Sequence, residues 1–574
     1  MPSRRTDPGS SGKKTVGTDA GKRQNLTSRW FSSWQPYAAL VLIGGAIFAR
    51  TIWFDYTYFD DDVLILKHHA SGGTLSQFVQ AFSQPYLFLY YRPVVTISLA
   101  LDSSISNISP GMYHLSNVAF HLLACCLAFH FLVTLHLPKA TAFLAGVVCA
   151  VHPLATQAIA WIPGRNDTLL AIFVLLALTF MVDSLTAGNW RAYGLHLLSF
   201  LLALLTKETA LIFPLLCLSL LALFFRVPLF SRPTARYAVG WAAVVIAWSL
   251  MRKFAAVALD TGGGPNPFDT FLSNMPVLVE LLGKLVVPVR LSAYPTFSTG
   301  SFIVGAAAAV LLLGLVVFVD RKQKRLIAVA LLWIVLFILP GLFVSIDAAH
   351  RFTYLESRGY LSVIGFGLLL AAGLENRNNQ AGVRRWMIVA ALAAVYAVAS
   401  LMYSTVYGNA IRHWKHAVEM SPAAADAHYN LGVVCLQAGN DTALAISSYQ
   451  KAISLNPGNS EYHNNLGNVY GVRGRIDLAE AEFSKAIELD PADPYPYHNL
   501  GFLYYLRNNF KDAESRWKQA IALDPHYPDP QLHLVELYYR EQNYDKALYY
   551  VNTLQQMGVA VKPDLLQKLR SLKK

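Results

Sequence analysis

Long apolar runs alternate with short polar ones as far as about residue 408, and then the pattern changes. A helix needs roughly 20 mostly apolar residues to cross the hydrocarbon core of a bilayer. Runs of that kind predict spans over 37–54, 113–135, 139–160, 167–183, 190–206, 208–226, 236–258, 301–319, 325–345, 354–374 and 385–407, eleven in all. The segment 271–290 (FLSNMPVLVELLGKLVVPVR) is also apolar, but Pro276 and Pro288 interrupt it. It reads as a re-entrant or interfacial helix.

After residue 409 the chain repeats itself. His428-Tyr429-Asn430-Leu431-Gly432 returns as His463-Asn464-Asn465-Leu466-Gly467 and as His498-Asn499-Leu500-Gly501. Behind the second and third glycines stand Ala479/Ala513, Phe483/Trp517, Ala486/Ala520 and Pro491/Pro525 at equal offsets, and a weaker copy starts near Leu534. This is the 34-residue tetratricopeptide pattern of paired helices. Gly and Ala let the two helices approach, the aromatic fills the seam, and Pro ends the second helix. Trp414, Ala417 and Pro422 fit a preceding half repeat, which runs the last span directly into the solenoid. The expected fold class is therefore all-α, a polytopic helical membrane domain of about 11 spans followed by an α-solenoid.

Composition agrees with that division. The chain is 54% hydrophobic and only 14% charged, against about 25% charged in ordinary soluble domains. That excludes a wholly soluble protein, a disordered chain and a fibrous repeat. The charge is unevenly spread: residues 409–574 carry 17 basic and 18 acidic residues, residues 30–408 carry 23 and 15, and residues 1–29 carry seven and two. A near-neutral polar part is no nucleic-acid footprint. Residues 1–34 read as a disordered basic cytoplasmic tail with no cleavable signal, 35–408 as the membrane domain and 409–574 as the repeat domain. The five cysteines have neither metal spacing nor an obvious pairing.

Basic loops orient membrane proteins toward the cytoplasm. With the tail inside, alternation places Lys139, Arg191, the Arg226/Arg232/Arg236 loop, the 321–325 loop and the Arg377/Arg384/Arg385 loop on the same side. The loops 55–112 and 259–300 and the repeat domain then lie outside, periplasmic or extracytoplasmic.

Charged residues at membrane depth are expensive and mark functional sites. On this topology they gather at the outer boundary. Asp60-Asp61-Asp62 follows the first span. Three adjacent carboxylates repel one another and raise at least one pKa unless a cation or donors compensate. Such a run suits a general base or a divalent cation. Near it fall Arg92, His114, His121, His152, Arg165, Asp167, Lys207, Glu208, Arg351, Tyr354 and Arg358. Acids, cations, histidines and aromatics on one membrane face suggest chemistry on a charged lipid head group, because Arg and Lys bind phosphate and a carboxylate can deprotonate an attacking hydroxyl.

These residues in this order resemble the membrane glycosyltransferases of the GT-C fold, in particular the transmembrane and tetratricopeptide-repeat-containing O-mannosyltransferases and their bacterial relatives. The resemblance runs through Phe59 to Asp62, Tyr91-Arg92-Pro93, Tyr113 to Asn117 with His121, His152-Pro153, Trp161 to Asp167, Lys207-Glu208 and Arg351 to Leu355. It implies a polyprenyl-phosphate sugar as donor, mannose or another hexose, with inverting transfer to Ser or Thr hydroxyls of a protein acceptor. It also implies an acidic base among Asp60, Asp61 and Asp62, donor-phosphate ligands among Arg92, Arg165, Lys207, Arg351 and Arg358, and a bacterial inner-membrane location. Gln157 stands where the relatives often carry Glu. Two other readings stay open: transfer to a lipid or glycan, and a non-catalytic membrane anchor for a repeat scaffold.

Overall fold

The computed structural model describes residues 30–31, 33–67, 75–86, 90–255, 266–318, 321–343, 354–374, 379–437 and 441–572. Helices account for nearly all regular structure among them, with one isolated bridge between Tyr86 and Tyr90. The chain forms two compact units. One runs to Gly408 but omits Ser292–Thr296, and the other joins that short segment to the chain from Asn409 onward.

Among the described residues of the first unit seven helices are long and apolar enough to cross a membrane: Gln35–Trp53, Pro110–Thr134, Ile162–Ala187, Arg232–Phe254, Gln323–Phe343, Glu356–Leu374 and Val383–Tyr407. They make the chain an integral membrane protein. An eighth is a bent pair, Lys139–Val151 with Pro153–Ala160, broken by 50°. The break has a local cause. Pro153 lacks an amide hydrogen and pushes the residue before it out of the helical region, and His152 is indeed extended at φ −72°, ψ 129°. The other three expected spans are shorter apolar helices, Trp190–Leu204, Glu208–Phe224 and Thr299–Leu312. A fourth, Pro93–Ser106, lies where the sequence reading had only an outer loop.

The 271–290 segment is not broken at Pro276. Pro267–Val286 is one continuous helix that contains this proline and ends before Pro288. It crosses the Thr299–Phe318 helix backbone to backbone. A Cβ on Gly283 would sit 2.6 Å from the Gly305 Cα, and one on Gly305 would sit 2.0 Å from the Val279 carbonyl oxygen. Only glycine fits at both positions, the close approach that small residues permit between membrane helices.

The repeat unit pairs Ala425–Gln437 with Thr442–Leu455, Ser460–Val472 with Ile476–Leu489, Pro494–Leu506 with Phe510–Leu523, and Pro528–Arg540 with Tyr544–Gln556. Its seams close as the sequence predicts. Cβ atoms on Gly432, Gly467 and Gly501 would each meet an aromatic ring at 2.7 Å, those of Tyr449, Phe483 and Trp517. Asn and Asp side chains cap most of the second helices, as at Asp441, Asn509 and Asn543. The half repeat is the Ala410–Met420 helix, whose Trp414 and Ala417 are buried. Tyr294 belongs to this unit too: its carbonyl accepts from Ser421 Oγ at 2.7 Å, and its hydroxyl donates to Asp426 at 3.2 Å. The direct run from last span to solenoid is corrected. The Asn379–Ser404 helix gives way to a 3-10 turn at Thr405–Tyr407, and a new helix starts at Ala410, where the Asn409 side chain accepts the Arg412 amide at 2.9 Å.

Candidate active site

The acidic run sits on a short irregular stretch after the first span. Asp61 is buried, and its Oδ2 accepts from the Thr57 amide at 2.6 Å and the Thr57 hydroxyl at 2.7 Å. Asp60 is half-buried and left-handed, with φ +66°, and Tyr58 is left-handed at +53°. Asp tolerates that region better than most residues, whereas a bulky tyrosine is strained there. Such strain persists only where surrounding contacts impose it. The contacts are on Phe59, between the two: its ring stacks on Trp161 at 5.0 Å, and its carbonyl accepts the Trp161 indole N–H at 2.7 Å. Asp62 opens a π-helical turn, Asp62–Lys67, and its side chain lies outside the described residues.

Trp161 is held in turn by a buried brace. Asn117 donates to the carbonyls of Ile159, Trp161 and Ile162 at 3.1–3.3 Å, and its Oδ1 accepts from Arg165 Nε at 3.0 Å. Arg165 also donates to Asp102 at 2.7 Å, the Tyr113 carbonyl at 2.9 Å and Ser98 at 3.3 Å. Ser116 donates to the other Asp102 oxygen at 2.6 Å. This corrects one assignment. Arg165, expected at the head-group layer as a phosphate ligand, is fully buried, and protein acceptors occupy its guanidinium. It acts on the acidic stretch through Trp161 and Phe59.

The remaining cations form a second group. Arg92 donates through Nε and Nη2 to Glu208 Oε2 at 3.1 and 3.0 Å, and it lies over the rings of Tyr90 and Tyr86 at 4.2 and 5.7 Å. Lys207 pairs with Asp167 and reaches Asn166 at 3.3 Å, so Lys207 and Glu208 do not pair with each other. Burial lowers the Lys207 ammonium pKa and Asp167 opposes that. Arg358 stands apart. Its guanidinium donates to the Gly341 carbonyl at 2.9 Å, and no carboxylate of the described residues lies within ion-pairing distance. Lys207 lies within electrostatic range of Asp167, Arg92 and Arg358, and Arg358 within that of Arg92 and Asp167. Tyr86 lies within electrostatic range of Arg92 and Arg165 as well as of Asp60 and Asp61, so the acids and the cations share a neighbour.

Three expected site residues serve elsewhere. His121 contacts the Tyr360 hydroxyl at 2.8 Å and the Ala150 carbonyl at 3.2 Å. His152 accepts from the Leu154 amide at 3.2 Å and bonds the Leu285 carbonyl at 2.9 Å, which caps the bend. Through these nitrogens both histidines bond between elements, His121 to Tyr360 and Ala150 and His152 to Leu154 and Leu285. Tyr354 belongs to a buried network that the sequence reading missed: Lys284 donates to Tyr354 at 2.6 Å and Glu356 at 2.7 Å, and Tyr354 donates to Glu280 at 2.9 Å. The i, i+4 spacing of Glu280 and Lys284 within an apolar helix was the available signal. His114 is buried against Phe54, rings 6.3 Å apart. Gln157 Oε1 accepts the Ser357 amide at 2.8 Å, beside Arg358. Arg351 lies outside the described residues. Among the described residues no group of three or more His, Cys, Asp or Glu is placed to hold a metal, and at the acidic run the described side chains are those of Asp60 and Asp61.

Comparison with known proteins follows the division into units. Family models described as "TPR repeat" and "Tetratricopeptide repeat" match residues 473–507, and 400–443, 448–481 and 504–558, respectively. Protein O-mannosyl-transferase Tmtc1 of Drosophila melanogaster is 35% identical over 127 residues, 22% of this chain and 15% of that protein. Mouse TMTC2 is 34% identical over 102 residues, covering 18% and 12%, and mouse TMTC3 is 31% identical over 121 residues, covering 21% and 13%. The matched stretch thus spans 12–15% of the length of these relatives. A crystal structure of MamA aligns with 26% of the chain and 86% of its own length, at 21% identity and a TM-score of 0.24. The chain joins a tetratricopeptide-repeat array to an integral helical membrane unit, and it is similar in sequence to the TMTC protein O-mannosyl-transferases.

Proposed function

We propose that the chain is an inverting GT-C-type glycosyltransferase. It moves a hexose, mannose in the simplest case, from a polyprenyl-phosphate donor to Ser or Thr hydroxyls of a protein that the repeat unit holds. The observation that carries the reading is Arg358, a cation without a carboxylate partner among the described residues, grouped with Arg92–Glu208 and Lys207–Asp167. With three cations against two carboxylates, this group is one negative charge short of balance, and a phosphate supplies it. An Asp of the 60–62 run takes the proton of the acceptor hydroxyl, which attacks the anomeric carbon opposite the phosphate through an oxocarbenium-like state. The phosphate leaves already charged, so it needs little acid assistance. Asp60 is the half-buried acid and Asp61 the fully buried one, which makes Asp60 the more accessible base.

The one-sided basic loops support a cytoplasmic N-terminus, a periplasmic repeat unit and a bacterial inner-membrane location. Reporter fusions at about residues 230 and 323 then report cytoplasm, and one after Lys574 the opposite side. Activity is tested with the full chain in detergent, a labelled polyprenyl-phosphate hexose, and a Ser/Thr-containing peptide. Label on the peptide is the expected result. Label on lipid or glycan alone would replace the protein acceptor, and no release of sugar from the donor would leave the scaffold reading.

A further inference from the structure

Tyr86 stands between the Leu75–Ser83 helix and the Pro93–Ser106 helix, in the stretch that leads to Arg92. Its backbone is pinned to Tyr90 by two hydrogen bonds, N–H to carbonyl in each direction, at 2.7 and 3.0 Å. The residue is only 6% exposed, yet its hydroxyl has no hydrogen-bond partner among the described residues. A buried hydroxyl without a partner costs free energy and calls for an explanation. The Arg92 guanidinium lies 5.7 Å from its ring, and Asp60 and Asp61 lie within electrostatic range. Burial raises the phenol pKa, and Asp60 and Asp61 add to that against the opposing Arg92. The hydroxyl therefore keeps its proton and is a donor in need of an acceptor. An anion drawn to Arg92 brings one.

We propose that the Tyr86 hydroxyl donates a hydrogen bond to a phosphate oxygen of the lipid-linked donor beside Arg92, and so helps bind the donor and steady the departing phosphate. This rests on the glycosyltransferase reading above and adds to it a residue that touches the leaving group. It explains why a tyrosine with an unmet buried hydroxyl is tolerated there: its partner is the substrate.

The test uses the full chain in detergent and compares wild type with Tyr86→Phe, which removes only the hydroxyl. The probes are polyprenyl phosphate, the sugar-free leaving group, and the corresponding polyprenol. The expected result is a Kd for polyprenyl phosphate about ten-fold weaker in Tyr86→Phe, the fold-change of one hydrogen bond to a charged group. Polyprenol binding stays unchanged, and the Tm of the ligand-free protein stays equal or rises, since an unmet buried hydroxyl has gone. Equal polyprenyl phosphate affinities in the two proteins overturn the proposal while the functional reading stands. A lower ligand-free Tm in Tyr86→Phe overturns it as well, because the hydroxyl would then have a partner within the protein. If wild type binds the phosphate no more tightly than the alcohol, both the proposal and the donor reading fall.

Discussion

Lys485 and Glu488 in the repeat unit form an ion pair of almost the same length as Arg165 and Asp102 in the membrane unit, 2.9 against 2.7 Å. The first pair is 42% and 69% exposed, and the second 0% and 5%. Water screens the first, so it contributes little. The second has no water to fall back on, and losing one partner strands a buried charge. Bond length therefore says little about what an ion pair does here; surroundings decide. The same logic separates Arg165, whose donors meet protein acceptors, from Arg358, which meets a single carbonyl.

The largest expected effect is at the brace. Asp102→Ala strands Arg165 and costs about 3–5 kcal/mol. Thermal unfolding in detergent reads this as a sharp fall in Tm, and the Asp60 stretch loosens with it, because Trp161 and Phe59 depend on the brace. A Tm within a degree or two of wild type would mean that Arg165 is not confined as described.

Arg358→Ala is the counter-case. The protein loses one hydrogen bond to a carbonyl, so its Tm changes little. Donor binding loses a charged contact of about 1.5–3 kcal/mol, roughly ten- to a hundred-fold in Kd. A large Tm loss with unchanged donor affinity would make Arg358 a structural residue and remove the basis for the phosphate site.

Smaller effects belong to the repeat unit. Burial, then the neighbouring His533, holds the His498 imidazole at about 4. Its unfolded value is near 6.5, so between about pH 6.5 and 4 the unfolded chain binds a proton that the folded unit refuses. Stability of the repeat unit should fall with pH across that window, and His498→Gln should flatten the fall. Hydrogen exchange over residues 494–540 measures it. Lys485→Ala sets the lower end of the scale, within about 1 kcal/mol of wild type.

The two units also differ in how far their sequence could be read. In the repeats each position recurs with one residue type, so Gly501 against Trp517 follows from spacing alone. In the membrane unit the spans follow from hydropathy, but the pairings do not. Arg165 finds Asp102 63 residues away and Lys284 finds Glu356 72 residues away, and no local pattern announces either. The motif Tyr113 to Asn117 was legible as a cluster, but its job was not: Tyr113, Ser116 and Asn117 hold the brace, and none of the three reaches the cation group around Arg358. His152 and His121 read as site residues from their place at the outer boundary, because the carbonyls they bond, those of Leu285 and Ala150, lie on other helices and leave no local sign in the sequence.

The central claim is that the acids at 60 and 61 perform the chemistry while the cations around Arg358 hold the donor. The most direct measurement follows transfer of hexose from polyprenyl phosphate to a Ser/Thr peptide by mass spectrometry, in wild type and in the Asp60→Asn/Asp61→Asn double variant, with donor binding and Tm measured on the same samples. The account predicts a hexose-bearing peptide with wild type and none with the double variant, whose donor affinity and Tm remain near wild type. Transfer by the double variant at the full rate would contradict it.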